Sequence, residues 1–213
     1  MMPSNHSSPV VHYWAGRYPK SVAWLMGPKG YGKTKLREWL PYALDNDVYG
    51  AWSENREWDA DGYFNGLDSI RLNRQQPMWA AVPDSVGDRD KTLAMWEQYS
   101  DRVGEYGWPL AFVVQDGMTL DDIPERAEIV FVGGTTTWKW RHLNMWMESG
   151  KRVHVGRVNS LQRVWLCHDL GIESVDGTGW FRDGDDANRL LKLESYFKRE
   201  RLAQTMELFG NEN

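Results

Sequence analysis

The chain of 213 residues and 24.8 kDa is long enough for one large domain with a sizeable core. Its 26% charged and 41% hydrophobic residues exclude a disordered or low-complexity chain, and no apolar run approaches the about eighteen residues of a membrane span. A net charge of −5 weighs against indiscriminate nucleic-acid binding, yet six basic and no acidic residues lie between Arg17 and Arg37, and six face Glu148 alone between Lys139 and Arg163.

The first dozen residues lack the basic start and apolar stretch of a secretory signal, so a cytoplasmic protein with no membrane partner is expected. Residues 1–20 read as an N-terminal extension, 21–209 as a single domain and 210–213 as a tail. The first strand is predicted at 21–26 (SVAWLM), followed by strands at 41–45, 77–84, 109–116, 127–134, 152–158 and 173–178. Most are continuous apolar runs, as parallel strands buried on both faces require. Helical spacing fills the gaps. A helix over 59–74 starts at Asp59 and puts Phe64, Leu67 and Ile70 on one side; another over 88–103 carries Leu93, Trp96, Tyr99 and Val103. Helices at 136–149 and 160–170 end at Gly150 and Gly171, and the last spans 185–209. Cys167 is the only cysteine, which leaves no internal disulfide and no multi-cysteine zinc site. The thirteen tryptophans are either core or stacking surface.

Strands alternating with helices predict an α/β protein, either an open doubly wound sheet or a barrel. The polar residues decide for the barrel. Asp45, Asp84, Gln115, Gly133, Gly134, Arg157 and Asp176 fall at the C-terminal ends of different predicted strands, which converge on one mouth in a barrel and scatter in an open sheet. Barrels of this type take about 250 residues. The expectation is therefore a compact (β/α)8 TIM-like barrel with an irregular or missing last unit.

One segment points elsewhere. Gly27 to Thr34 (GPKGYGKT) satisfies the phosphate-binding pattern GxxxxGK[ST] after a strand, with Lys33 to reach phosphates and Thr34 to hold magnesium. Pro41 leaves little room for the long helix such a loop should open, and no later strand ends in a clear magnesium-binding Asp. A P-loop NTPase is kept as the alternative, and a non-catalytic DNA-binding barrel beside it.

A carboxylate at a strand end beside glycine, as at Asp176-Gly177, lets a substrate approach closely. Two such groups facing one sugar suit retaining glycosyl transfer: one attacks the anomeric carbon and the other carries the proton of the leaving group. For Asp84, a helix N-cap is an equally ordinary role.

Five short motifs, in order from Trp24 to Trp180, resemble the tRNA-guanine transglycosylase superfamily. The likeness is to its short, phage-type branch that inserts deazaguanine bases into DNA. YALDNDVY is similar to the family's acid/base segment, which implies Asp45 as general acid/base; Asp47 replaces a family glycine there. VPD implies that Asp84 hydrogen-bonds the guanine-like edge, and FVVQDG that Gln115 also reads the base. FVGGT implies a backbone contact to the base at Gly133 and Gly134, and GIESVDGT implies the nucleophile at Asp176. The family's tRNA enzymes carry a three-cysteine, one-histidine zinc subdomain that this sequence cannot build, which favours DNA as acceptor. The resemblance implies exchange of guanine for a free base such as 7-cyano-7-deazaguanine, with no cofactor and no metal. A nucleoside hydrolase would use the same carboxylates.

Arg157, Lys29, Lys33, Lys35 and Lys139 are candidate phosphate contacts to DNA. Trp52, Trp138 and Trp180 are candidates to hold a flipped base. His154 is expected to be a satisfied barrel residue, and the tryptophan content leaves a homodimer open.

Overall fold

The computed structural model describes residues 1–3, 9–31, 37–181 and 187–199. Seven short parallel strands pair strictly in chain order: β1 (Trp24–Met26), β2 (Tyr42–Leu44), β3 (Ala80–Ala81), β4 (Leu110–Val114), β5 (Ile129–Val132), β6 (Arg152–Val155) and β7 (Ser174–Val175). A doubly wound sheet reverses its strand order partway; this sheet never does, so the fold is α/β of the TIM-barrel type. The helices are α1 (Pro9–Arg17), α2 (Val48–Ser53), α3 (Ala60–Arg71), α4 (Arg89–Gly104), α5 (Thr136–Met147), α6 (Leu161–Asp169) and α7 (Ala187–Phe197). No helix among the described residues is long and apolar enough to cross a membrane.

Seven strands are present rather than eight β/α units. Residues Met1–Pro3 lie between the two edge strands: Met2 N–H donates to Val175 O at 2.7 Å, while Ala23 and Leu25 N–H donate to Met1 O and Pro3 O at 3.0 Å. Residues 1–20 are thus not an appended extension. Their first three residues satisfy edge amides that would otherwise be left open, and α1 packs its buried Trp14 against Phe197 of α7 at 5.5 Å between rings.

Local chemistry sets the helix ends where the sequence indicated. The Asp59 carboxylate accepts from Gly62 N–H at 2.8 Å and the Asp88 carboxylate from Lys91 N–H at 3.0 Å, each satisfying an amide the first turn leaves free. Gly171 follows α6 with φ +73°, a conformation that glycine adopts without steric cost. The short α2 breaks no sequence rule, but six residues beginning with two β-branched or aromatic side chains carry too little periodicity to announce it.

Alternation along the strands divides the core in two. Outward residues such as Met26, Leu44, Phe112, Val114, Val130 and Val155 pack under the helices. Inward residues form a smaller cluster in which Trp79, Phe131, Val113 and Ile129 fill the concave face. Continuing each inward series by one step gives Asp45 after Ala43, Gln115 after Val113, Gly133 after Phe131, Gly156 after His154 and Asp176 after Ser174. The same period that packs the interior therefore aims these residues at one end of it.

Trp79 is fully buried, with its ring 5.7 Å from Phe131 and 5.0 Å from His154. Trp79→Ala is expected to lose about 3–5 kcal/mol, because the hole it leaves lies between rigid strands; urea denaturation of the two proteins measures it.

Candidate active site

Asp45, Asp84 and Asp176 meet at the C-terminal end of the sheet, close enough that Asp176 and Asp84 both act electrostatically on Asp45. Each carboxylate is held differently. Asp84 is buried, and both its oxygens accept from amides: Oδ1 from Asn46 Nδ2 at 2.9 Å and Oδ2 from Gln115 Nε2 at 2.6 Å. Burial pushes its carboxyl up to about 6, and the two amide donors, with the Arg157 charge, limit the rise. Asp84 is not a helix cap; Asp88 takes that role for α4.

Asp45 has weaker support. Burial, then repulsion from Asp176, Asp84 and Asp47, pushes it up to about 7, opposed by the Asn46 N–H on Oδ1 at 2.9 Å. Its backbone carbonyl accepts from the Tyr31 hydroxyl, so the residue is fixed although its carboxylate is sparsely bonded. Asp176 is 14% exposed at its side chain. Its Oδ1 accepts from Arg157 N–H at 3.0 Å, and its Oδ2 lies 3.2 Å from His154 Nε2.

Gln115 is buried and fully engaged. Besides donating to Asp84, its Oε1 accepts from Gly87 N–H at 2.9 Å and Gly134 N–H at 3.1 Å. It therefore orients Asp84 and binds two loops together, which differs from the direct base contact the sequence suggested. The Gly134 N–H is likewise taken by Gln115, and its carbonyl accepts from the Arg157 guanidinium. Gly133 has no room for a side chain: a Cβ would come within 3.0 Å of Gln115 Nε2 and Val113.

The phosphate candidates separate. Arg157 adopts φ +57°, and its guanidinium carbon lies 4.5 Å from the centre of the Tyr49 ring, at the rim of the mouth. Lys29 is exposed and 3.4 Å from Glu54. Lys139 is buried, with its ammonium donating to Gly156 O, so it faces the interior and not a surface that a nucleic-acid backbone could follow. Desolvation lowers it to about 8. Lys33 and Lys35 lie outside the described residues, as do Gly32 and Thr34 of the phosphate-loop pattern. Of the tryptophans, Trp180 is buried and donates to Val158 O at 2.7 Å, and Trp138 packs over Gly134. Trp52 is 60% exposed and lies 5.7 Å from Tyr49, itself 44% exposed, so these two rings of α2 stand open beside the mouth.

Sequence reasoning missed three residues of this site. Asn46 bridges from Asp84 Oδ1 to Val82 O, and its own Oδ1 accepts from Val48 N–H. Gly156 lines the mouth, where a Cβ would come within 2.8 Å of the Phe131 ring and 3.3 Å of Asp176 Oδ2. Tyr49 lies under Arg157. Gly156 could have been found by extending the inward series of β6, whereas Asn46 and Tyr49 carry no periodic signal. A cavity of about 440 Å³ adjoins the mouth on the β2 side, lined by Tyr31, Asn46, Asp47, Arg56 and Trp58. Among the described residues, no group of three or more His, Cys, Asp or Glu is arranged to hold a metal ion.

No family model matches the sequence, and no curated protein matches it. Among solved structures, the chain is similar to 3-hexulose-6-phosphate synthase from Salmonella typhimurium, at 13% identity and a TM-score of 0.43, over 76% of this chain and 75% of that one.

Asp45 has a raised carboxyl, so the folded state holds its proton more tightly than the unfolded state between about pH 4 and 7, and stability falls as pH rises through that window. Asp45→Asn removes the charged form. It is expected to stabilise the protein by about 2 kcal/mol at pH 8 and hardly at all at pH 4.5; denaturant midpoints of both proteins at the two pH values test this.

Proposed function

We propose that the chain is a base-exchange glycosyltransferase that replaces guanine in DNA by a free 7-deazaguanine base. One observation carries the reading: three carboxylates share one mouth, and their surroundings differ as the three tasks of this reaction differ. Two are pinned by donors, and the third is left with a carboxyl near 7.

Asp176 attacks C1′ of the target nucleotide as the C1′–N9 bond breaks, and the departing guanine keeps the bonding electron pair. Asp45, protonated at the start, gives its proton to that guanine. The incoming deazaguanine then loses its N9 proton to Asp45 and attacks C1′, and the bond to Asp176 breaks. Two inversions retain configuration. A carboxyl near 7 can serve both half-reactions, because it is available in either protonation state at neutral pH. Asp84 is ionised there and accepts from the ring N–H and exocyclic amine of the guanine-like edge, while Asn46 and Gln115 prevent it from turning away. Gly133 and Gly156 leave the space above Phe131 that a flat base requires.

DNA is favoured as acceptor because the chain cannot build the zinc subdomain of the tRNA enzymes it resembles. The exposed Tyr49 and Trp52 suit a nucleotide drawn out of its stack, since aromatic faces accept any base.

The test is to incubate the protein with guanine-containing DNA and excess 7-cyano-7-deazaguanine, digest to nucleosides, and look for the modified deoxynucleoside by mass spectrometry. Wild type is expected to form it and Asp176→Ala to lose it by about a thousandfold or more. The rate should peak near pH 7 and fall on either side as Asp45 is held in one state. Free guanine without product would make the enzyme a hydrolase, and ATP consumption without either would revive the phosphate-loop alternative.

A further inference from the structure

His154 is fully buried on the inner face of β6, and neither packing nor solvent explains both of its polar contacts. Its Nδ1 lies 2.8 Å from Ser174 Oγ and its Nε2 lies 3.2 Å from Asp176 Oδ2. The register produces this arrangement. His154 is the direct partner of Ser174 across β6 and β7, and Asp176 is the next inward residue along β7. Two rings clamp the imidazole, Phe131 edge-on at 4.5 Å and Trp79 tilted at 5.0 Å, so it cannot swing to another partner.

These contacts restrict the proton. A carboxylate only accepts, so Nε2 must carry the hydrogen if its contact with Asp176 is to be attractive. In the neutral ring Nδ1 is then the acceptor, and the group facing it must donate. Ser174 can, because a hydroxyl rotates to do either. The opposite tautomer would set two lone pairs, one on Nε2 and one on Asp176, against each other. A hydrophobic side chain in this place would fill the same volume without aiming anything at Asp176.

We propose that His154 is a positioning residue: Ser174 donates to Nδ1 and so holds the ring as the Nε2–H tautomer, which together with Arg157 N–H fixes the plane of the Asp176 carboxylate. The proposal rests on Asp176 being the nucleophile of the reaction proposed above. Two donors from different elements, one on each oxygen, leave the carboxylate no free rotation, so its attacking lone pair stays aimed into the mouth above Gly156. His154 itself neither gains nor loses a proton in the reaction.

Two measurements test this, and they fail separately. Nitrogen-15 NMR of the histidine side chains reads the tautomer directly and needs no activity. Wild type should show a neutral His154 with its hydrogen on Nε2, and Ser174→Ala, which removes one oxygen from a site where the backbone is held by the sheet, should show a mixture of tautomers. A hydrogen on Nδ1 alone, or on both nitrogens at neutral pH, overturns the proposal. In the exchange assay, Ser174→Ala should lower kcat about tenfold with KM for the free base unchanged. His154→Leu should lower kcat more than His154→Gln, whose amide can still offer an N–H to Asp176. Equal losses in those two, or a change confined to KM, would give His154 a packing role only. Should wild type exchange no base while the NMR result holds, the arrangement of His154 stands and the reaction assigned to Asp176 falls.

Discussion

Carboxylates gathered at the dry end of a sheet repel one another and lose hydration, and most of the polar structure here answers that cost. The answers are unequal. Asp84 receives two side-chain amides, and Asp176 receives a backbone N–H and an imidazole. Asp45 receives a single backbone N–H among the described residues, so a proton makes up what donors do not. A difference in support thus becomes a difference in chemical role. One carboxylate is fixed to accept from a base, one is fixed to attack, and one is free to exchange a proton.

Gln115 connects these parts. Its amide reaches Asp84 on one side, while its carbonyl collects N–H groups from the loops after β3 and β5, at Gly87 and Gly134. Gly134 in turn accepts from Arg157, whose own N–H holds Asp176. The base-reading carboxylate and the nucleophile are therefore joined through one chain of hydrogen bonds across three loops. Such a chain keeps its geometry only while every member is satisfied, because an unpaired buried group costs more than the bond it replaces contributes.

Much of this was legible in the sequence, because both fold and site follow from period-2 alternation. The seven apolar runs all became strands, and the polar residues that end them converge as a barrel-type sheet requires. The strands came out shorter than their apolar runs, β3 at two residues and β7 at two, because the flanks of those runs pack as loops without continuing the ladder. What escaped is non-periodic. Asn46 lies one residue past the inward series and matters only through long-range contacts to Val82 and Asp84. Lys139 lies in a basic stretch that reads as surface, yet its place on α5 turns it toward Gly156. Charge counting sees the ammonium but not the side of the helix that carries it.

The Walker-type pattern shows the same limit from the other direction. A phosphate cradle needs consecutive amides that are free and aimed outward. Over the described part of the pattern, Gly30 N–H donates to Gly27 O at 2.8 Å and Tyr31 N–H to Pro28 O at 3.1 Å, closing a 3-10 turn on itself. The Tyr31 ring then runs inward against Gly66 of α3, where a Cβ would come within 2.2 Å of it, and its hydroxyl reaches the carbonyl of Asp45. These glycines and this tyrosine meet the pattern's spacing while their hydrogen bonds serve another purpose. The turn supports the residue whose proton the proposed reaction moves, and that engagement leaves those two amides unable to hold a nucleotide.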